Sequence, residues 1–89
     1  MAKKRKPIVM YFYAPEWDRN AIEKKEKVLK SCKEFGLSCN VIDVETQNGV
    51  YSSIKYGVRN VPTAVIINEG EVIGVEKGNY IQDFLVNYC

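Results

Sequence analysis

The chain has 89 residues, of which 46% are hydrophobic and 27% are charged, and its formal net charge is only +2. This length predicts one small domain with a single core, and the weak charge balance does not indicate a basic face for nucleic acids. No apolar run approaches the roughly 18 residues that cross a bilayer, and no signal-peptide core follows the basic start. We therefore expect a cytoplasmic protein without a membrane or nucleic-acid partner.

The N-terminal segment predicts a basic tail followed by the first strand. Residues 1–7 carry a Lys-Lys-Arg-Lys cluster and are expected to form a flexible, solvated tail, so that residues 8–89 make up the domain. Ile8–Tyr13 is a short apolar run bounded by prolines on both sides. Such runs are typical of a strand that is buried on both faces of a sheet.

The next segment has the pattern of an amphipathic helix that ends before Gly36. Asp18 or Asn20 can serve as its N-cap, and Asn20 has capping-box spacing to Glu23. Glycine after the last helical residue is a common helix terminator. The expected core-facing residues recur at helical spacing, and they are Ile22, Val28, Leu29, Cys32 and Phe35.

The rest of the chain predicts three more strands and two more helices. In chain order these are a strand at 37–44, a short helix within 46–57, strands at 63–68 and 71–75, and a last helix that begins at Gly78-Asn79. A strand, a helix and a strand with short connections form a parallel unit, and an Asn-Glu-Gly-Glu turn favours a hairpin. The order β-α-β-(α)-β-β-α predicts an α/β sandwich with a four-stranded mixed sheet between helices.

Three segments resemble the thioredoxin-like superfamily. Residues 12–15, Phe-Tyr-Ala-Pro, are similar to the approach to the active site, and residues 68–74 are similar to the family's hairpin. Residues 56–63, Tyr-Gly-Val-Arg-Asn-Val-Pro-Thr, resemble the run in which the proline, here Pro62, is cis. The resemblance covers nearly the whole chain, and it implies a minimal thioredoxin- or glutaredoxin-like three-layer sandwich.

The chain departs from this family at the Cys-x-x-Cys motif. The turn is one residue longer than the common form, so the first cysteine position falls at Asp18 or Trp17 and the second at Ala21 or Asn20. The family's buried carboxylate falls at Tyr11. Because a thiolate is the nucleophile of disulfide exchange, we expect the degenerate positions Trp17, Asp18 and Ala21 to have no catalytic role.

The resemblance also implies a binding groove beside the proline. In relatives, the backbone of the residue before the proline, here Val61, pairs with an extended substrate segment, which is binding by strand addition. The predicted function is a redox-inactive module that binds a protein or peptide partner through Trp17, Asp18, Val61 and Pro62, with Arg59 and Asn60 at the rim. The alternatives are that Trp17 packs over the start of the helix and that Pro62 only shapes a turn.

The three cysteines offer an alternative function. Cys32 and Cys39 are separated by a predicted helix-to-strand turn, so a disulfide is sterically conceivable. Such a pair would make the protein a thiol–disulfide oxidoreductase or a redox sensor. The other interpretation is that both are small buried hydrophobic residues. Neither lies at a helix N-terminus, where a thiolate is stabilised, so this function ranks second.

The remaining expectations concern oligomeric state, metals and cofactors. We expect a monomer, in which Cys89, the last residue, could cross-link two copies on oxidation. The sequence has no histidine, and its cysteines lack the paired spacing of a zinc site. It therefore predicts no metal site and no cofactor.

Overall fold

The computed structural model, which describes residues 7–17, 19–78 and 81–88, begins with a parallel β-α-β unit. This unit comprises β1 (Ile8–Tyr13), α1 (Ala21–Phe35) and β2 (Ser38–Asp43). β1 and β2 pair in parallel, with Ile8 opposite Ser38. Gly36 ends α1 in the left-handed region (φ 70°), and the Leu37 N–H donates to the Cys32 carbonyl at 2.8 Å. This helix-ending turn brings the start of β2 next to the last turn of α1.

The second half of the fold completes a four-stranded mixed sheet. Its elements are α2 (Gln47–Lys55), β3 (Thr63–Asn68), β4 (Glu71–Lys77) and α3 (Ile81–Leu85), which continues as a 3-10 turn at Val86–Tyr88. The strand order is β2-β1-β3-β4, and β3 runs antiparallel to both of its neighbours. The predicted fold class, an α/β sandwich with a mixed sheet and flanking helices, is confirmed.

The two central strands, β1 and β3, are covered on both faces because their apolar residues alternate between two clusters. One face packs under α1 and α3, and its buried strand residues are Val9, Tyr11, Ala64 and Ile66. The other face holds Phe12, Val65 and Ile67 and packs against Met10, Ile42, Val44, Tyr56 and Val58. This two-sided burial explains the continuous apolar runs of β1 and β3.

Two features of α1 differ from the sequence prediction. Ile22, expected in the core, is 52% exposed, whereas Ala21, Val28 and Cys32 are buried. At the start of α1 the small Ala21 faces the sheet, so the following residue, Ile22, faces solvent. Asn20 occupies the N-cap position, but its side chain makes no capping hydrogen bond, so the predicted capping box is wrong.

The start of α2 depends on a side-chain cap and a close backbone contact. The Thr46 Oγ1 accepts a hydrogen bond from the Gly49 N–H at 2.9 Å and donates to the Asp43 carbonyl at 2.9 Å. A Cβ atom added at Gly49 would lie 2.7 Å from the Asp43 carbonyl carbon and 2.9 Å from the Val44 Cα. Only glycine therefore fits where α2 crosses the end of β2.

Several expectations concern the ends of elements or the termini. β4 extends two residues beyond its predicted end, to Lys77, and Pro7 is buried although it was assigned to the tail. Residues 1–6, Asp18 and Cys89 lie outside the described residues, as does Asn79, where the last helix was predicted to begin. Within the described part of the chain, no helix is long and apolar enough to cross a membrane.

Candidate functional site

The turn between β1 and α1 carries the degenerate catalytic positions. A hydrogen bond from the Trp17 N–H to the Ala14 carbonyl (3.1 Å) closes this turn above the end of β1. Ala14 is buried, whereas the Trp17 side chain is 83% exposed, so most of the indole is in contact with solvent. Ala21 begins α1 and is 3% exposed, so a buried methyl group occupies this position. Asp18 lies outside the described residues.

The loop before β3 faces this turn. Arg59, Asn60 and Val61 are exposed, Pro62 is half-buried, and the Val61–Pro62 peptide bond is cis. The Thr63 hydroxyl donates to the Asn60 carbonyl, and the Gly78 N–H donates to the Pro62 carbonyl at 3.0 Å. The paired register of β3 begins at Thr63, so the Val61 backbone precedes the sheet ladder.

Three adjoining hollows run between the turn and the loop, and together they form what we call the groove. The first is a surface depression of about 330 Å³ lined by Ala14, Trp17, Val44, Ser53, Val58, Arg59 and Val61. The second is a narrow cleft that shares Ala14 and Val61 with the first and adds Ala21 and Pro62. The third is a cavity of about 200 Å³ lined by Tyr11, Lys24, Lys27, Val28, Pro62, Gly78 and Ile81.

Acidic side chains lie beside Trp17, although the residues that line this end of the groove include Arg59 and no carboxylate. Partial desolvation, the nearby Glu16 carboxylate and the charge on Asp43 raise the pKa of Glu45, while a hydrogen bond with the Trp17 side chain opposes the shift. The indole N–H is the donor in this bond, since tryptophan has no side-chain acceptor. The contact connects the exposed indole to the loop after β2.

The opposite end of the groove has basic residues in its wall. Lys24 and Lys27 line the 200 Å³ cavity, and the residues that line it include no acidic side chain. Lys27 pairs with Glu23 one turn away at 3.7 Å, and both side chains are more than half exposed. Exposed pairs of this kind contribute little to stability. The wall of this cavity therefore contains two basic side chains, one of which is paired with Glu23.

The structure brings most of the predicted binding residues to this groove. Trp17, Arg59 and Val61 line the first hollow, Val61 and Pro62 line the second, and Asn60 is exposed beside them. Sequence reasoning did not include Lys24 and Lys27 in the site. The available signal was that Lys24 follows the inward-facing Ala21 by three residues, which places both on one side of a helix.

The two internal cysteines lie away from the groove. Cys32 is in the last turns of α1, eleven residues after Ala21, which is about 16 Å along the helix axis. Both thiols are free; Cys32 is 1% exposed, and Cys39 is half-buried. The thiols contact each other through a hydrogen bond. It lowers the pKa of Cys32, against the effect of burial, and raises the pKa of Cys39 together with burial and the charge on Cys32.

Metal binding has no candidate residues in the part of the chain that the structure describes. No group of three or more histidine, cysteine, aspartate or glutamate side chains there could hold a metal ion.

Comparisons with known proteins identify structures with a similar fold. No protein-family model and no curated protein matches the sequence. Among solved structures, Fasciola hepatica thioredoxin is similar with a TM-score of 0.81 and 24% identity, over 97% of this chain and 84% of that chain. A designed protein is 27% identical with a TM-score of 0.78, over 93% and 77% of the two chains. Thioredoxin O2 from Arabidopsis thaliana has a TM-score of 0.78 and 18% identity, over 94% and 76%.

These similarities extend over nearly the whole chain and agree with the strand order and flanking helices. The chain has a thioredoxin-like fold. Its sequence lacks the Cys-x-x-Cys pattern altogether, since its three cysteines are Cys32, Cys39 and Cys89.

Proposed function

We propose that this thioredoxin-like domain binds an extended segment of a protein partner in the groove and performs no thiol–disulfide exchange there. The observation that carries the proposal is the position of Trp17. Its indole is 83% exposed and lines a depression of about 330 Å³ together with Val61. Tryptophan is enriched among residues that dominate binding energy, and an exposed indole beside a hollow is available to a partner.

The chemistry of the groove favours a peptide with two features. An apolar side chain fits the depression between Trp17 and Val61, because Ala14, Val44 and Val58 also line it. An acidic side chain further along the same segment fits the wall that contains Lys24. The backbone of such a segment would run past Val61, which precedes the ladder of β3 and is accessible at 39% exposure.

The proposal is tested with a library of extended peptides that vary at an apolar and an acidic position. Trp17 is the only tryptophan in the chain, so its fluorescence reports binding at the groove directly. We expect saturable emission changes for apolar-acidic peptides and weaker binding to the Trp17→Ala variant, followed with a labelled peptide. Ile54→Ala is the matched control, because Ile54 is 75% exposed and lies on α2. Equal loss in both variants, or no binding by any peptide, would contradict the proposal.

The alternative, an oxidoreductase or redox sensor acting through Cys32 and Cys39, has one observation in its favour, the contact between the thiols. Turnover of a protein disulfide requires a thiolate that the substrate can reach, whereas Cys32 is 1% exposed. The pair therefore fits an internal redox change better than catalysis on a protein substrate. The cytoplasmic location, the monomeric state and a dimer linked through Cys89 stay predictions.

A further inference from the structure

The corner between α1 and β2 places two thiols together in the core. Cys32 belongs to the buried cluster under α1, and Cys39, the second residue of β2, packs against that same cluster. The backbone bond from Leu37 to Cys32 (2.8 Å) and the left-handed Gly36 define the turn between them. The contact thus follows from the helix-ending turn and from β2 pairing with β1, where Cys39 lies opposite Val9.

We infer that Cys32 and Cys39 form a redox site of their own, in which hydrogen peroxide oxidises the two thiols to an intramolecular disulfide. The inference does not depend on the proposed groove, because the site lies at the other end of α1. It rests on two free thiols that pack in one cluster under α1, where Cys32 is 1% exposed and Cys39 is half-buried. The effect of each thiol on the pKa of the other supports their proximity. Hydrogen peroxide is the proposed oxidant because, unlike a protein disulfide, it is small enough to approach a buried sulfur.

The chemistry balances in two steps. The Cys32 thiolate attacks one oxygen of hydrogen peroxide, forming an S–O bond and breaking the O–O bond, and the second oxygen leaves as hydroxide, which takes up a proton to give water. The Cys39 sulfur then attacks the sulfenic sulfur, which forms the S–S bond and breaks the S–O bond. A second water leaves with the Cys39 proton. Two thiols lose two electrons, and one peroxide is reduced to two waters.

The contact assigns the two roles. The Cys39 thiol donates to Cys32, which lowers the pKa of Cys32 and makes it the first sulfur to ionise. Donation, burial and the neighbouring charge raise the pKa of Cys39, which favours Cys32 as the first nucleophile. Cys32 is then the reacting thiolate and Cys39 the resolving thiol.

The test is peroxide titration of the native 89-residue chain that carries Cys89→Ser, which leaves only the two internal thiols. We expect both thiols to disappear together from an alkylation assay, and the intact mass to fall by the mass of two hydrogen atoms. A digest should give a cross-linked pair of peptides containing Cys32 and Cys39, and dithiothreitol should restore both thiols. The oxidised protein should also unfold at a higher temperature than the reduced protein, since the cross-link restricts the unfolded chain.

Single variants separate this outcome from general oxidation. Cys39→Ser should retain a sulfenic acid at Cys32 that a dimedone probe labels, whereas Cys32→Ser should react more slowly with peroxide. Two thiols that stay alkylatable, or a Cys32 that proceeds to sulfinic acid without a cross-linked peptide, would overturn the inference. The Cys89→Ser chain decides the matter even if a single variant fails to fold.

Discussion

Replacement of Trp17 by alanine separates a binding role from a structural role. The side chain is 83% exposed, so roughly one sixth of its surface is buried by the fold. A tryptophan side chain presents up to about 250 Å². At about 25 cal/mol per Å², the buried part, roughly 40 Å², contributes only about 1 kcal/mol to stability. We expect Trp17→Ala to reduce the free energy of unfolding by no more than about this amount.

The effect on binding should be larger, because a partner that fills the depression would bury the rest of the indole. Truncation of a tryptophan hot spot costs about 2 kcal/mol or more, which is roughly a 30-fold rise in Kd. Stability is measured by urea denaturation followed by circular dichroism, and affinity by anisotropy of a labelled peptide from the library. A loss of stability above about 3 kcal/mol would contradict the burial argument. An unchanged Kd would refute the assignment of Trp17 to the groove.

Three further substitutions test other parts of the reasoning. Gly49→Ala should lower stability by about 2 kcal/mol or more in urea denaturation, because the new methyl group meets backbone atoms that cannot move aside; the exposed Asn48→Ala should raise stability slightly through helix propensity. Glu45→Gln should raise stability at pH 7, because the raised pKa of Glu45 means that its ionisation opposes folding. Well below the carboxyl's usual pKa of 4.5 the substitution should make no difference, and urea denaturation at both pH values checks the sign. Lys24→Gln should weaken peptides carrying glutamate about two- to fivefold and leave glutamine peptides unchanged in anisotropy titrations, whereas Lys33→Gln, at the far end of α1, should affect neither.

The strands were the most predictable elements. β1 and β3 have the predicted bounds, since each is an apolar run with residues packed on both sheet faces and a proline at its N-terminal end. β4 was predicted two residues too short. β4 continues to Lys77 because Lys77 pairs with the first residue of β3. The polar sequence at the end of β4 does not indicate this pairing. The end of an edge strand depends on how far the neighbouring strand pairs with it, and the sequence of the edge strand alone does not show this.

Helix orientation was harder to predict than helix position. Ile22 and Val28 both fit an apolar stripe, yet only Val28 is buried. The choice depends on which residue fits against β1 at the start of α1, and the small Ala21 takes that place. Ile54 shows the same limit in α2, where an apolar residue at helical spacing is 75% exposed. Periodicity predicts that a stripe exists, and packing against the sheet selects which residues belong to it.

The candidate site could be predicted only through residues that resemble a known motif. Trp17 and Pro62 came from such segments, and the structure places them along one groove. Lys24 and Lys27 belong to no motif, and the spacing of Lys24 from Ala21 becomes a signal only once Ala21 is known to face inward. The contact between Cys32 and Cys39 was left open, because it depends on how sharply the chain turns at Gly36.

The location of the thiols along α1 argues for slow, internal redox chemistry instead of exchange with protein disulfides. A helix N-terminus stabilises a thiolate, and a C-terminus disfavours it through the partial negative charge of its carbonyl groups. Cys32 lies in the last turns of α1, so its ionisation depends on the hydrogen bond from Cys39 and not on the helix. At the N-terminal end, Ala21 presents only a methyl group. In the two proposals made above, the N-terminal end of α1 contributes to partner binding and the C-terminal end carries the dithiol. A disulfide there would change the state of the protein without turning over a substrate.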